Sequence, residues 1–155
     1  MTATSYESEL ERSGRITITI KGVSMRPLFR ADSDAILIKK CSADALKNLD
    51  IVLFKRPGPK GEQYVLHRIV GRQKDGNYII AGDNCTGADI VPPKAILGDV
   101  VSAQRGNTPI PLKGVRYAMY ERLWCAPYKM RFVVLRIRNR ACAAARKIVS
   151  VWRRK

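Results

Sequence analysis

Residues 63–84 read "QYVLHRIVGRQKDGNYIIAGDN", and the fold is decided in that stretch. "QYVLHRIVGR" and "NYIIAG" have strand length, are rich in β-branched and aromatic residues, and are separated by Lys74, Asp75 and Gly76, a turn sequence. This succession predicts an antiparallel hairpin with His67 on its first strand. Upstream, "RITITIKGV", "DAILIKK" and "DIVLFKR" follow the same grammar, and downstream so does "ILGDVVSAQR". The expected body, residues 15–111, is therefore mainly β and mostly antiparallel. Two connections are expected to be irregular or helical. "SADALKN" (42–48) predicts one short helix N-capped by Ser42, and "KRPGPKGEQ" (55–63) predicts a mobile Pro/Gly loop.

Beyond Pro111 the apolar period lengthens from two toward that of a helix. Met130, Val133, Val134, Ile137, Ala141, Ala144, Ala145, Ile148 and Trp152 share one helical face, with arginines and lysines largely off it. Residues 112–155 thus form a basic helical extension, with an earlier helical piece, "VRYAMYERLWC", set apart by Pro127. Much of the formal net charge of +16 lies in this part of the chain, and the arginines recur too often for the helix to span a bilayer. The amphipathic face has three readings. It lies on an anionic membrane surface, it packs on the β body with its arginines solvated, or the charge contacts nucleic acid. The last is the least supported, because basic charge is its only argument. Residues 1–14 are polar and hold no apolar stretch suited to a signal peptide or anchor, so a cytoplasmic body with at most peripheral membrane contact is expected. Cys41, Cys85, Cys125 and Cys142 are scattered, form no CxxC pair and have one histidine to join them. Reduced thiols, no metal and no cofactor are the expectation.

The chemistry that remains is nucleophilic. Ser24, in "KGVSMRPLF" (21–29), follows the alternating run Arg15–Ile20 and falls where regular strand should end. A serine nucleophile needs a base, and His67 is the one imidazole in the chain. Asp83 and Asp89, in the loop expected after the hairpin, are candidates to orient that ring. Each residue also has a plainer reading: a turn hydroxyl for Ser24, a core or strand-surface position for His67, and turn capping for the aspartates.

Five segments in order, "GVSMRPLF", "DIVLF", "YVLHRIV", "AGDN" with Asp89 six residues after Asp83, and "ILGDV", resemble the peptidase fold shared by type I signal peptidases and self-cleaving SOS-type repressors. The likeness covers roughly residues 18–103, and is to the branch in which histidine replaces the general-base lysine. It implies a β-barrel-like antiparallel domain with Ser24 as nucleophile, His67 as base, and Asp89 orienting the histidine with Asp83 in support. It also implies an oxyanion site built on backbone N–H groups at Ser24 and near Gly22, and substrate contacts from Met25 and Pro27. The implied activity is a serine endopeptidase that cleaves after small residues in a leader or precursor peptide bound as an added strand. The alternative is a catalytically silent module of the same fold that binds a peptide or a membrane-associated partner. This chain departs from the pattern at Ala88, where a first aspartate is frequent, at Leu49, where glycine precedes the acidic residue, and at Gly22, where many signal peptidases carry an oxyanion-binding serine.

Overall fold

The computed structural model describes residues 6–59 and 61–152, with the side chains of residues 148 and 150–152 left out. Eight strands form one antiparallel sheet: β1 (Arg15–Thr19), β2 (Asp34–Lys40), β3 (Ile51–Gly58), β4 (Gly61–Arg72), β5 (Tyr78–Ala81), β6 (Asp89–Val91), β7 (Ile96–Arg105) and β8 (Thr108–Pro109). Their order is β1-β2-β7-β3-β4-β5-β6, with β8 paired to β7. The hairpin expected around Lys74–Gly76 is present, with Arg72 opposite Tyr78 and Arg68 opposite Ala81.

The apolar run "IVLF" of β3 is buried throughout. Alternation along the strand divides it between two cores. Ile51 and Leu53 join Phe29, Ile36, Ile38 and Leu66, while Val52 and Phe54 join Val65, Ile69, Tyr78 and Ile80. His67 has the parity of Val65 and Ile69, pairs with Val52 across the ladder, and sets its ring 6.2 Å from that of Phe54. At 6 % exposure it is a core histidine by burial.

Three sequence expectations need revision, and one element lay outside them. The Pro/Gly stretch 55–63 is mostly strand: β3 and β4 continue their ladder through Arg56↔Gln63 to Gly58↔Gly61. Pro57 is tolerated there because an outer ladder position can forgo its donor. The helix expected over 42–48 is a single tight turn at Ala43–Ala45, and the Ser42 side chain caps nothing. Asp89 opens strand β6, which pairs with β5, and is not in a loop. Finally, the polar N-terminus contains helix α1 (Tyr6–Ser13), whose Leu10 is buried in the first core.

After the sheet come α2 (Val115–Tyr120), a π-helical turn (Glu121–Cys125) and α3 (Tyr128–Trp152). Over its described residues the apolar face of α3 does not pack on the sheet; the side chains of Ile148 and Trp152 lie outside them. Among the described residues of α3, Arg131 and Leu135 are the buried positions, whereas Met130, Val133, Val134 and Ile137 are all more than half exposed. Among the described residues no helix is long and apolar enough to cross a membrane.

Candidate active site

The end of β1 and the segment that follows it, Ile18–Met25, form one wall of a groove of about 670 Å³; the opposite wall is β4 from Glu62 to His67. Tyr6 of α1 joins the lining, tilted against Tyr64 with ring centroids 5.0 Å apart. β1 is an edge strand. The groove therefore runs beside backbone groups that a further strand could pair with.

Ser24, half-buried, and His67 both line this groove. They are brought together by the loop after β5. The Asn84 N–H donates to the Ser24 carbonyl at 2.7 Å, and Asn84 Nδ2 donates to the Val23 carbonyl at 3.1 Å. Gly82 is the point of closest approach. A Cβ there would stand 2.7 Å from the Ser24 carbonyl oxygen, 2.9 Å from His67 Nε2 and 2.7 Å from Cys85 Sγ. Only a residue without a side chain lets the Ser24 backbone, the imidazole and the loop meet.

Among the described residues no hydrogen bond joins Ser24 to His67; the polar atom recorded against His67 Nε2 is Cys85 Sγ, at 4.0 Å. Apo active sites often show such slack, which tightens when substrate enters. His67 Nδ1 is buried with no hydrogen-bond partner. The nearest carboxylate oxygen, Asp89 Oδ2, stands 3.9 Å away, beyond hydrogen-bond range. Asp89 is instead held by Arg56, whose Nη1 donates to Oδ1 at 2.5 Å. Asp89 is thus beside the ring it was expected to orient, with Arg56 competing for it.

Burial pushes the His67 pKa down to about 4, with the Arg56 charge adding to that effect and the Asp89 charge opposing it. The imidazole is therefore neutral at neutral pH, the form a general base needs. Any His67-dependent activity should hold down to mildly acidic pH and lose its acid limb near pH 4, not near 6.5. Replacing Arg56 with alanine removes a cation and releases Asp89, so the limb should move upward in pH. A kcat/KM profile of both proteins checks the pair, and a limb that stays fixed in the variant contradicts it. The same shift bears on stability. Between about pH 6.5 and 4 the unfolded chain binds the imidazole proton and the folded one does not, so stability falls as pH drops through that window, by about 3 kcal/mol in all.

Asp83 has a different setting. Its carboxylate is fully buried and accepts two hydrogen bonds from Arg68, at 2.9 Å from Nε and 2.8 Å from Nη2, and one from the Tyr120 hydroxyl at 2.7 Å. Arg131 Nη1 lies 3.6 Å from it, and Trp124 Nε1 donates to the Asp83 carbonyl at 3.0 Å. Burial alone would lower the Arg68 pKa; its two bonds to Asp83 outweigh that and raise it above its ordinary value. The aspartate of "GDN" accordingly clamps the loop to the C-terminal helices; among the described residues no hydrogen bond joins it to the imidazole, on which only its charge acts.

The remaining candidates separate. Gly22 lines the groove and has φ of 81°, a left-handed conformation that suits glycine. The Ser24 N–H has no acceptor among the described residues, which leaves it free to face an oxyanion. Met25 lines the groove but is 1 % exposed, so it is floor and core at once. Pro27 is exposed and outside the groove lining. Cys85 was not singled out as a site residue by sequence, since its nearness to His67 depends on a loop return across eighteen residues. Burial raises its thiol pKa, which keeps it protonated and a poor nucleophile. Arg56 was missed because it was assigned to a loop; it lies on β3, opposite Gln63 in the ladder, and its side chain reaches Asp89 of β6.

Among the described residues no group of three or more His, Cys, Asp or Glu side chains could hold a metal ion. No protein-family model, curated protein or solved structure matches the chain.

Proposed function

We propose that this protein is a serine endopeptidase of the kind shared by type I signal peptidases and self-cleaving repressors, using Ser24 and His67. The observation that carries the reading is the convergence of the Ser24 segment and His67 upon Gly82, at one end of a groove beside a free sheet edge. A peptide would pair with the edge of β1 and present its carbonyl carbon to Ser24 Oγ. His67 Nε2 would accept the hydroxyl proton as the Oγ–C bond forms, and the oxyanion would be met by the Ser24 N–H. The imidazolium would then protonate the leaving amine as the C–N bond breaks, and water, deprotonated by the same imidazole, would release the acyl group. Met25 and Leu53 line the groove as tightly buried core residues, which favours small side chains before the scissile bond.

For Asp89 to support the imidazolium its Oδ2, 3.9 Å away, must close on Nδ1 while Oδ1 accepts from Arg56. The Arg56–Asp89 pair is also the observation that favours the second reading, a silent peptidase-fold module that binds a peptide in the same groove. One experiment separates them: the purified protein is incubated with a library of alanine-containing peptides and the products are read by mass spectrometry. Cuts after small residues that disappear in Ser24→Ala and in His67→Ala, but persist in Cys85→Ala, support the peptidase. Intact peptides, or cuts that survive Ser24→Ala, sink it.

A further inference from the structure

Helix α3 extends for 25 residues, about 37 Å, and its first half docks to the body. Arg131 donates to the Gly82 carbonyl, Arg136 to the Thr86 carbonyl and Arg138 to Asn84 Oδ1, and Leu135 is fully buried. From Asn139 to Lys147 every residue is exposed. An isolated helix of that length is marginal in water. On the side turned from the body, Met130, Val133, Val134 and Ile137 follow the spacing of one helical face at 71 %, 53 %, 51 % and 62 % exposure, and Ala141, Ala144 and Ala145 continue it. Lys129, Arg136, Arg140 and Lys147 run along one edge of that stripe, all exposed. No acidic residue occurs after Glu121.

These observations discriminate among occupants. A second copy of the chain packed through the stripe would bring one basic row against another. Nucleic acid would use the cations and leave the apolar stripe in water. A bilayer with anionic headgroups satisfies both at once, since the stripe and the row meet along one helix. We propose that α3 lies along an anionic lipid surface, with Met130, Val133, Val134 and Ile137 among the acyl chains and Lys129 and Arg140 against the phosphates. This docking is independent of the peptidase reading.

The test is flotation of the full-length protein with vesicles of phosphatidylcholine alone or mixed with phosphatidylglycerol. The mixed vesicles should carry the protein and the neutral ones should not. Exchanging Val133 and Ile137 for glutamate should lower the partition coefficient at least about tenfold; both side chains are more than half exposed, so the far-ultraviolet spectrum should be unchanged. Removing Lys129 and Arg140 by alanine should cost about fivefold per cation. Failure to float with mixed vesicles overturns the proposal. So does flotation that the double glutamate variant leaves untouched, which would reveal a contact of charge alone. A concentration-dependent dimer that the same variant dissolves, seen by sedimentation equilibrium, would assign the face to a second copy instead.

Discussion

Asp83→Ala should lower the unfolding free energy by about 3–5 kcal/mol, because it strands the Arg68 guanidinium without its bidentate partner in a fully buried site. The cluster is balanced as it stands. Arg68 and Arg131, both buried, face Asp83 and the partly exposed Glu121, whose Oε1 lies 3.4 Å from Arg68 Nη1. Removing the one fully buried carboxylate leaves two cations and a single anion at the rim. The Tyr120 hydroxyl loses its acceptor in the same step, and the Arg68 contacts with the rings of Tyr117 and Tyr120 cannot replace it. The damage should spread to the C-terminal helices, since Tyr117, Tyr120, Trp124 and Arg131 all converge on this pair. Urea unfolding of wild type and variant reads the difference. Replacing Arg68 and Asp83 together by apolar residues should cost less than the two single changes added, because no charge is then left unpaired. A loss below about 1 kcal/mol for Asp83→Ala would mean that water reaches the site and the clamp is not the buried one described.

Gly82→Ala should reduce any Ser24-dependent cleavage by about a hundredfold or more. Its φ lies outside the left-handed region, so alanine is excluded by space and not by backbone conformation. The new methyl would meet a backbone carbonyl at 2.7 Å, the imidazole at 2.9 Å and a thiol at 2.7 Å. The thiol can turn away, but the carbonyl of Ser24 is pinned by the Asn84 N–H. Either the Ser24 segment or His67 must shift by an appreciable fraction of an ångström, and displacements near 1 Å at a reacting pair cost about that factor in rate. The control is Gly87→Ala in the same loop, where nothing lies within 4 Å of the added carbon. Equal activity in the two variants would show that the Ser24 and His67 positions are not coupled through Gly82. The comparison requires a measured cleavage in the wild type; binding of an uncut peptide, followed by fluorescence, should show the same asymmetry if the groove only binds.

Six of the strands were readable because each carries its own instruction, a β-branched run of strand length, whereas the short β6 and β8 carry too few residues to announce themselves. The pairing of β4 with β5 followed from the turn at Lys74–Gly76, and the helical spacing after Pro111 followed from the period of the apolar residues. Even so, local pattern misread residues 55–63, where pairing of β3 with β4 supplied more than the turn-rich composition withheld. It also left α1 without a reading, because its single buried leucine is too faint a signal until the sheet provides a surface for it.

By itself the sequence determined that the body is mainly antiparallel strand, that one serine and one histidine are available in it, and that a basic amphipathic helix closes the chain. Those properties are set by neighbours within a few residues. Tertiary structure alone decided that Gly82 is the hinge between Ser24 and His67, that Asp83 pairs with Arg68 while Asp89 pairs with Arg56, and that α3 docks through Arg131 and Leu135 and not through its apolar stripe. Each of these choices is a competition between partners distant in the chain. Its outcome depends on which charge is desolvated beside which carboxylate, and that is fixed only when the strands have packed.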